Sequence, residues 1–336
     1  MSRIVRALVP LALAATTAAV TAMPAAQAAP ATPAATSQLQ VVGIGVYGGM
    51  AHTIRNGNGS WDQFGWPDGR NYSDFYGVYA VTSVIVNGNE NVLFDYEAGP
   101  LHTPSTGFLI RRADGTWASV APPAGNTHAG DNLAVANVDG QLTVMRLQDS
   151  KFQLATFNGS GWSSWQDTGL SGDYRDFDIV ANGTTIRLVA AKGDGTGFIE
   201  VDRTKGTWGT TTTVPFTSDT GWPQGVTRID AAQVGDQLHV ILTDEDRVYH
   251  SLLHANGSWD SPADIAGETT WVESPKDVSA AEVNGELQVV ITNDSFTNGD
   301  FMFHTIRHAD GTWQRFGDVN DAAGPTNSGL VTIASQ

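Results

Sequence analysis

The sequence predicts an all-β fold: a six-bladed β-propeller of four-stranded antiparallel blades, closed by its C-terminal strand. Three observations predict it. A short phrase ending in Trp recurs six times along the 336 residues. A second hairpin precedes most copies of that phrase. The two ends of the mature chain supply complementary fragments of one further repeat.

The phrase reads HTIRNGNGSW at 52–61, FLIRRADGTW at 108–117, QLATFNGSGW at 153–162, EVDRTKGTW at 200–208, HSLLHANGSW at 250–259 and HTIRHADGTW at 304–313. Its anchors are Trp61, Trp117, Trp162, Trp208, Trp259 and Trp313, spaced 56, 45, 46, 51 and 54 residues apart. Periods of roughly 40–50 residues mark propeller blades and similar arrays. Within each copy, alternation such as His304-Thr305-Ile306-Arg307 reads as a strand. Asn-Gly, Asp-Gly or Lys-Gly then makes a tight turn, where Gly and Asn tolerate positive φ. The Trp opens the return strand and can pack between neighbouring sheets. The upstream hairpins include AVANVDGQLTVM (134–145), DAAQVGDQLHVIL (230–242) and SAAEVNGELQVVI (279–291). The unit is therefore a small-residue strand A, an apolar strand B, and strands C and D around the Gly-Trp turn. No long segment reads as helical.

Five units are complete, at about 75–120, 131–168, 176–213, 227–265 and 278–318. The first begins directly at a B-like run, LQVVGIGV (39–46), without a strand A. The chain ends on SGLVTIASQ (328–336), which reads as an A strand without a blade. Pairing the two closes a ring and removes exposed sheet edges. Residues 38–336 are thus expected to form a single propeller.

Composition narrows the function. The chain carries 35 acidic and 18 basic residues, a formal net charge of -17, 37 Gly and no Cys. Disulfides, thiolate metal sites and Cys nucleophiles are excluded. So acidic a chain is a poor nucleic-acid binder. Residues 1–28 read as a secretory signal: Arg3 and Arg6, an apolar run from Ala7 to Met23, and the small-x-small site Ala26-Gln27-Ala28. Residues 29–37 read as a Pro/Ala/Thr linker. The expected location is extracellular, and no later run approaches membrane-spanning length.

Propeller topology puts the A–B and C–D turns on one face and the longer B–C and D–A connections on the other. Varied loops on a rigid scaffold usually carry function, so the site is expected on the D–A/B–C face. Aromatics that the repeat does not require sit there: Trp66, Tyr72, Tyr174, Trp222 and Trp271. Gly65-Trp66-Pro67-Asp68-Gly69 and Gly221-Trp222-Pro223-Gln224-Gly225 are matching phrases on opposite blades. An exposed Trp offers a flat plate to the C–H face of a pyranose; the same ring can instead plug its own blade edge. Asp74, Asp131, Asp176 and Asp277 each stand just before an A strand, with Arg175, Asp178, Arg228, Asp230 and Lys276 at a similar level. In the ring these surround the tunnel mouth, where they could fix sugar hydroxyls or a cation. An Asp recurring at one position is ordinarily a turn residue bonding its own backbone, and that structural role is the expectation for the recurring set. The candidate ligand-binding set is Trp66, Tyr72, Tyr174, Arg175, Asp176, Trp222, Arg228, Asp230, Trp271 and Asp277.

No cofactor is expected. Calcium is the one ion the B–C loop acids (Asp95, Glu97, Asp194, Asp244, Glu245, Asp246, Asp294, Asp300) could suit. None of them matches a calcium loop, and they read as a solvated acidic rim. The pairs His250/His254 and His304/His308 read as cross-strand packing or surface residues. No G-x-S-x-G, H-E-x-x-H, P-loop or G-x-G-x-x-G is placed to act, so a catalytic role has no motif behind it.

The segment GWSSWQDTGL (161–170) and the G-[ST]-W hairpins resemble the tectonin-like and bacterial PLL-type propeller lectins. The resemblance spans most of the mature chain. It implies sugars bound in clefts between blades by an aromatic residue and polar side chains. Only Trp162 is followed by a second Trp, Trp165, so equivalent pockets in every blade are not implied. A weaker likeness to sialidase Asp-boxes, through Asp114-Gly115-Thr116-Trp117, reflects shared hairpin geometry. The expected function is a secreted, non-catalytic, carbohydrate-binding propeller whose partner is a carbohydrate or cell-surface glycan. The alternatives are an extracellular glycosidase or lyase, or a protein-interaction platform.

Overall fold

The computed structural model describes residues 37–336, apart from 46–48, 68–74, 100, 102, 126–131, 217–224, 245, 294–300 and 327, and gives no side-chain environment for 75 and 76. The expected signal sequence, most of the linker, Tyr72, Asp74, Asp131, Trp222, Glu245, Asp294 and Asp300 lie outside the described residues.

Blade 1 contains β1 (Leu39–Gly45) and β2 (Met50–Arg55). Blade 2 contains β3 (Phe75–Val86), β4 (Asn89–Ala98), β5 (Thr103–Arg111) and β6 (Trp117–Ser119). Blade 3 contains β7 (Leu133–Val138), β8 (Gln141–Gln148), β9 (Lys151–Phe157) and β10 (Gln166–Ser171). Blade 4 contains β11 (Tyr174–Asn182), β12 (Thr185–Lys192), β13 (Gly197–Thr204), β14 (Thr207–Trp208) and β15 (Thr212–Pro215). Blade 5 contains β16 (Arg228–Val234), β17 (Gln237–Thr243), β18 (Val248–Leu253) and β19 (Ala263–Asp264). Blade 6 contains β20 (Pro275–Val283), β21 (Glu286–Asn293), β22 (Met302–Arg307) and β23 (Gly317–Asp318). A five-residue helix, α1 (Val319–Ala323), then leads to β24 (Ser328–Ser335), and β24 pairs antiparallel with β1 from Leu39↔Ser335 to Ile44↔Leu330. The predicted closure is present. The innermost strands touch in the cyclic order β24, β3, β7, β11, β16, β20 and back to β24.

Two details differ from the ideal repeat. Blade 1 has three full strands, its outer edge completed by the bridges Arg55↔Trp61 and His52↔Gly65. In blade 4 the outer strand is split into β14 and β15, both paired to β13.

Strand B is apolar because its two faces serve two junctions. In β12, Leu188 and Ala190 join the core shared with blade 3, while Val189 and Ala191 join the core shared with blade 5. With side chains alternating at period 2, burial on both faces makes the whole run apolar. Each of the six repeat Trp residues packs back towards the preceding blade. Trp117 packs on the 1–2 core, Trp162 on 2–3, Trp208 on 3–4, Trp259 on 4–5, Trp313 on 5–6 and Trp61 on 6–1. The recurring indole is inter-blade packing, as the phrase predicts.

At Gly197 the split of blade 4 is sterically specified. Its φ is +151°, and a Cβ there would lie 2.2 Å from the Val214 carbonyl oxygen of β15. A backbone oxygen cannot rotate away as a side chain can. Gly197→Ala is therefore expected to destabilise by about 1–3 kcal/mol, read as a lowered urea midpoint with unchanged slope.

The tunnel side of each innermost strand is a sheet edge with unpaired N–H groups. Side chains of one blade cover the edge of the next. Ile229 N–H donates to Asp176 Oδ2 at 3.0 Å, Ala231 N–H to Asp178 Oδ2 at 3.1 Å and Ala280 N–H to Asp230 Oδ1 at 3.3 Å. Val331 N–H donates to Asp277 Oδ2 at 2.8 Å and Ile333 N–H to Ser279 Oγ at 3.1 Å. Of the recurring Asp set, Asp74 and Asp131 lie outside the described residues, and the expected turn role is corrected at the other two. Asp176 and Asp277 lie inside β11 and β20 rather than before them. They bond the neighbouring blade's backbone rather than a turn of their own, a partner that the packing of blade on blade supplies.

Candidate functional site

Two features gather polar and aromatic groups: the cleft between blades 1 and 2, and the central tunnel.

The cleft encloses about 530 Å³ and is built from β2, the segment after Trp61, and the outer hairpin of blade 2. Trp66 is its apolar wall, 53% exposed. The backbone around it is held in place. Gly65 and His52 exchange both main-chain hydrogen bonds, at 2.9 and 2.8 Å, and Phe64 N–H donates to the Ala323 carbonyl of α1 at 2.7 Å. The ring approaches Gly49 so closely that a Cβ there would sit 3.2 Å from Trp66 Cζ3. His52, Asp62, Arg111 and Trp117 supply the facing groups. His52 Nε2 meets Gln40 Oε1 at 2.9 Å, and its ring stands edge-on to Trp117 at 5.2 Å. Behind His52, the buried Glu90 places Oε2 3.4 Å from Nε2, and neither Glu90 oxygen has a hydrogen-bond donor among the described residues. An immobilised half-exposed indole beside an imidazole, a carboxylate and a guanidinium can stack on a ring's apolar face and bond hydroxyls at its edge.

The tunnel holds a compartment of about 270 Å³ lined by Asp178, Asp230, Ser279 and Thr332, and a smaller one of about 50 Å³ near Asp176, Arg228 and Asp277. Arg228 Nε stands 3.7 Å from Asp277 Oδ1. Enclosure by six strands pushes the carboxyls up. Burial raises Asp277 to about 7 against the opposing pull of Arg228. Burial likewise raises Asp178 to about 7. Asp176 is raised and Asp230 raised well above the ordinary value, again by burial first, with the charge of Asp178 adding to the rise at Asp230. Asp178 and Asp230 are hydrogen-bonded to each other, so protonation of one supplies the donor.

Of the expected set, Asp176, Arg228, Asp230 and Asp277 come together in the tunnel, their oxygens engaged by backbone N–H groups. Arg175 points elsewhere, its Nε donating to the Gly193 carbonyl at 2.9 Å. Tyr174 is corrected from a loop plate to a half-buried residue of β11, its ring 5.2 Å from Phe152 in the 3–4 core. Trp271 is 63% exposed on the connection between blades 5 and 6, apart from the cleft. The acidic rim also needs correction. Asp95 is buried in β4 and accepts from Thr106 Oγ1, and Asp244 is fully buried and accepts from the Tyr249 hydroxyl at 2.9 Å. Buried acceptors need such donors, which the sequence pattern does not display. Among the described residues no three His, Asp or Glu side chains converge as a metal site. Nor does any described helix have the length and apolarity to cross a membrane.

His52, Asp62, Arg111 and Glu90 were not legible as site residues. His52 and Arg111 occupy ordinary strand positions within the repeat, and only the pairing of blades brings them to one cleft. A further opening of about 660 Å³ lies between blades 2 and 3 on the A–B/C–D turn face, opposite the expected one, lined by Asn87, Asn91, Arg112 and Asn158 over Phe157. Its amides largely serve turns: Asn87 Nδ2 donates to the Gly140 carbonyl and Asn91 Nδ2 to that of Asn89. The second Trp of the distinctive phrase, Trp165, is structural. Arg146 lies 4.2 Å over its ring, and its indole N–H donates to the Ala124 carbonyl.

The chain is thus a six-bladed β-propeller with a pre-shaped cleft between its closing blade and the next. Solved structures share this fold. The AofleA protein of Arthrobotrys oligospora is similar at 15% identity over 89% of this chain and 92% of that one, with a TM-score of 0.54. A lectin of Aleuria aurantia, described as a six-bladed β-propeller with a novel fucose recognition mode, matches at 11% identity, 87% and 97% coverage and a TM-score of 0.52. A Bacteroides caccae protein of unknown function matches at 12% identity, 88% and 98% coverage and the same TM-score. At such identities the likeness shows the fold. No protein-family model matches the sequence, and no curated protein matches it.

Proposed function

We propose that the protein is a secreted, non-catalytic, carbohydrate-binding propeller that takes a neutral sugar in the cleft between blades 1 and 2. The observation that carries this reading is Trp66, held half-exposed over a cleft that also presents His52, Asp62 and Arg111. Leaving a flat indole in water is unfavourable, and a rigid aromatic wall with a few polar groups suits a ligand with one apolar face. The lectin propellers of similar fold support the same class of partner, and one of them was solved with α-methyl-L-fucoside. The two hydrogen-bonded carboxyls that could suggest hydrolysis lie in the tunnel, spent on the backbone of neighbouring blades, which weighs against the glycosidase reading.

The test is a glycan array with the mature protein, α-fucosides included, beside Trp66→Ala. Binding is expected, with at least tenfold weaker affinity in the variant, about 1.4 kcal/mol. No binding to any glycan overturns the carbohydrate reading. Binding unchanged in Trp66→Ala overturns the choice of cleft.

A further inference from the structure

The six junctions between blades use one ring-packing position, and its chemistry differs around the ring. Facing the Trp of the next blade stands Phe108 at junction 2–3, 5.3 Å from Trp162. At junction 4–5 the matching position of β13 is Glu200, and Phe198, two residues along the strand, packs on Trp259 at 5.2 Å. Leu154 and Trp208 share the 3–4 core. At the three remaining junctions the facing residue is a histidine: His250 with Trp313 (5–6), His304 with Trp61 (6–1) and His52 with Trp117 (1–2), at 5.4, 5.4 and 5.2 Å.

The charged surroundings divide these three. His52 has Glu90 at 3.4 Å, a buried counter-ion. Among the described residues, the two junctions of blade 6 have none in that position. At junction 5–6, His250 Nε2 meets His239 Nδ1 at 3.0 Å in a stacked pair, and the charges acting on the pair are those of Arg307 and His254. His254 itself is engaged with Asp260 at 2.9 Å. At junction 6–1, the buried His304 meets Gln288 Oε1 at 2.8 Å, and its charged neighbour is Arg55. Glu286 acts on Arg55 and accepts from His308 at 2.7 Å.

We propose that blade 6 is an acid-released gate: protons on His250 and His304 part it from both neighbouring blades at its outer edge while the tunnel edge stays joined. A proton on either ring puts a buried cation beside a guanidinium, and among the described residues no carboxylate acts on either ring. Attraction of an imidazolium to an indole face is the smaller effect against that desolvation and repulsion. Burial first, then these cations, hold His239 down to about 4, His304 to about 3 and His250 well below the ordinary value. The rings therefore stay neutral, and the junctions dry, until the medium is clearly acid. On the tunnel side the blade is held differently. Ala280 N–H donates to Asp230, Val331 N–H to Asp277 and Ile333 N–H to Ser279. A carboxyl oxygen accepts these bonds whether or not the group carries a proton, so acid leaves the inner edge fastened.

The chain itself supplies the substitution that tests this, because Phe108 already fills the position at junction 2–3. The experiment is limited pepsin digestion of the mature protein between pH 5 and 2.5, cut sites read by mass spectrometry, for the wild type and for His250→Phe/His304→Phe. In the wild type the earliest cuts are expected within 302–316, before any in 141–157 of blade 3. In the double variant the early cuts disappear and the acid midpoint falls by about one pH unit. His52→Phe, at the junction with its own counter-ion, is expected to leave the order of cutting unchanged. Early cuts spread evenly over the blades overturn the proposal from the wild type alone, should the double variant not fold. So does a double variant that folds and retains the early blade 6 cuts.

Discussion

Deleting residues 328–336 is expected to abolish the cooperative thermal transition or to lower it by tens of degrees. The segment is one complete strand of blade 1, paired to β1 along almost its whole length. Val331 and Ile333 are buried in the junction between blades 6 and 1. Burying those two side chains alone is worth about 3–6 kcal/mol, against a typical total of about 5–15 kcal/mol. The deletion also strips the partners from Asp277 and Ser279, and takes the Gly329 carbonyl from Thr292 Oγ1. Enclosed acceptors without donors add to the loss. Circular dichroism on the truncated and full-length proteins is the measurement. Melting within a few degrees of full length would refute closure as the source of stability.

The second large effect is a pH dependence whose sign depends on which group is removed. Asp178 titrates near 7 in the folded protein and near 4 when unfolded. A raised carboxyl contributes stability that is full in acid and is lost as pH rises through 7. Between pH 5.5 and 8 the loss is about 2 kcal/mol for one such group. His239 and His304 act oppositely. Their folded values of about 4 and about 3 lie below the ordinary 6.5. They contribute stability that is full above 6.5 and is lost as pH falls, by about 1.4 kcal/mol each over the same interval. Asp277, also raised to about 7, adds to the first effect, and His250, held well below the ordinary value, adds to the second, so each variant is read against the wild type over this interval. Asp178→Asn, which keeps an oxygen to accept from Ala231, is expected to lose about 2 kcal/mol relative to the wild type on acidification from pH 8 to 5.5. His304→Phe is expected to gain about 1.4 kcal/mol relative to it. Urea midpoints at pH 5.5, 6.5 and 8 separate the three proteins. Parallel profiles would show that the tunnel carboxyl and the junction imidazole are not the controlling groups.

These effects also show where the sequence is legible. The strands, their hairpins and the number of blades could be read because each rests on local physics. Alternation marks strands, Gly and Asn mark turns of positive φ, and a Trp every 45–56 residues marks the blade. Closure joins the two ends of the chain and was legible by elimination, since an unpartnered strand at each end has few ways to be satisfied. Trp66 could be picked out because the repeat has no use for it. The same reasoning misjudged Tyr174, Asp95 and Asp244, since a loop-like neighbourhood in sequence does not reveal that Tyr174 packs on Phe152 of the preceding blade or that the Tyr249 hydroxyl turns back onto Asp244 within its own hairpin.

What the sequence alone determined is the repeating unit and its count, because hydrogen bonding and burial within a blade are set by neighbours close along the chain, and the closure, because the fragments at the two ends complement each other. The tertiary structure alone decided which side chains meet across each junction. It placed Glu90 behind His52, Arg307 and Arg55 beside the histidines of blade 6, and each tunnel carboxylate on the next blade's backbone. Those partners stand dozens of residues apart. Their electrostatics depend on enclosure and on distances of a few ångströms, which no spacing along the chain encodes.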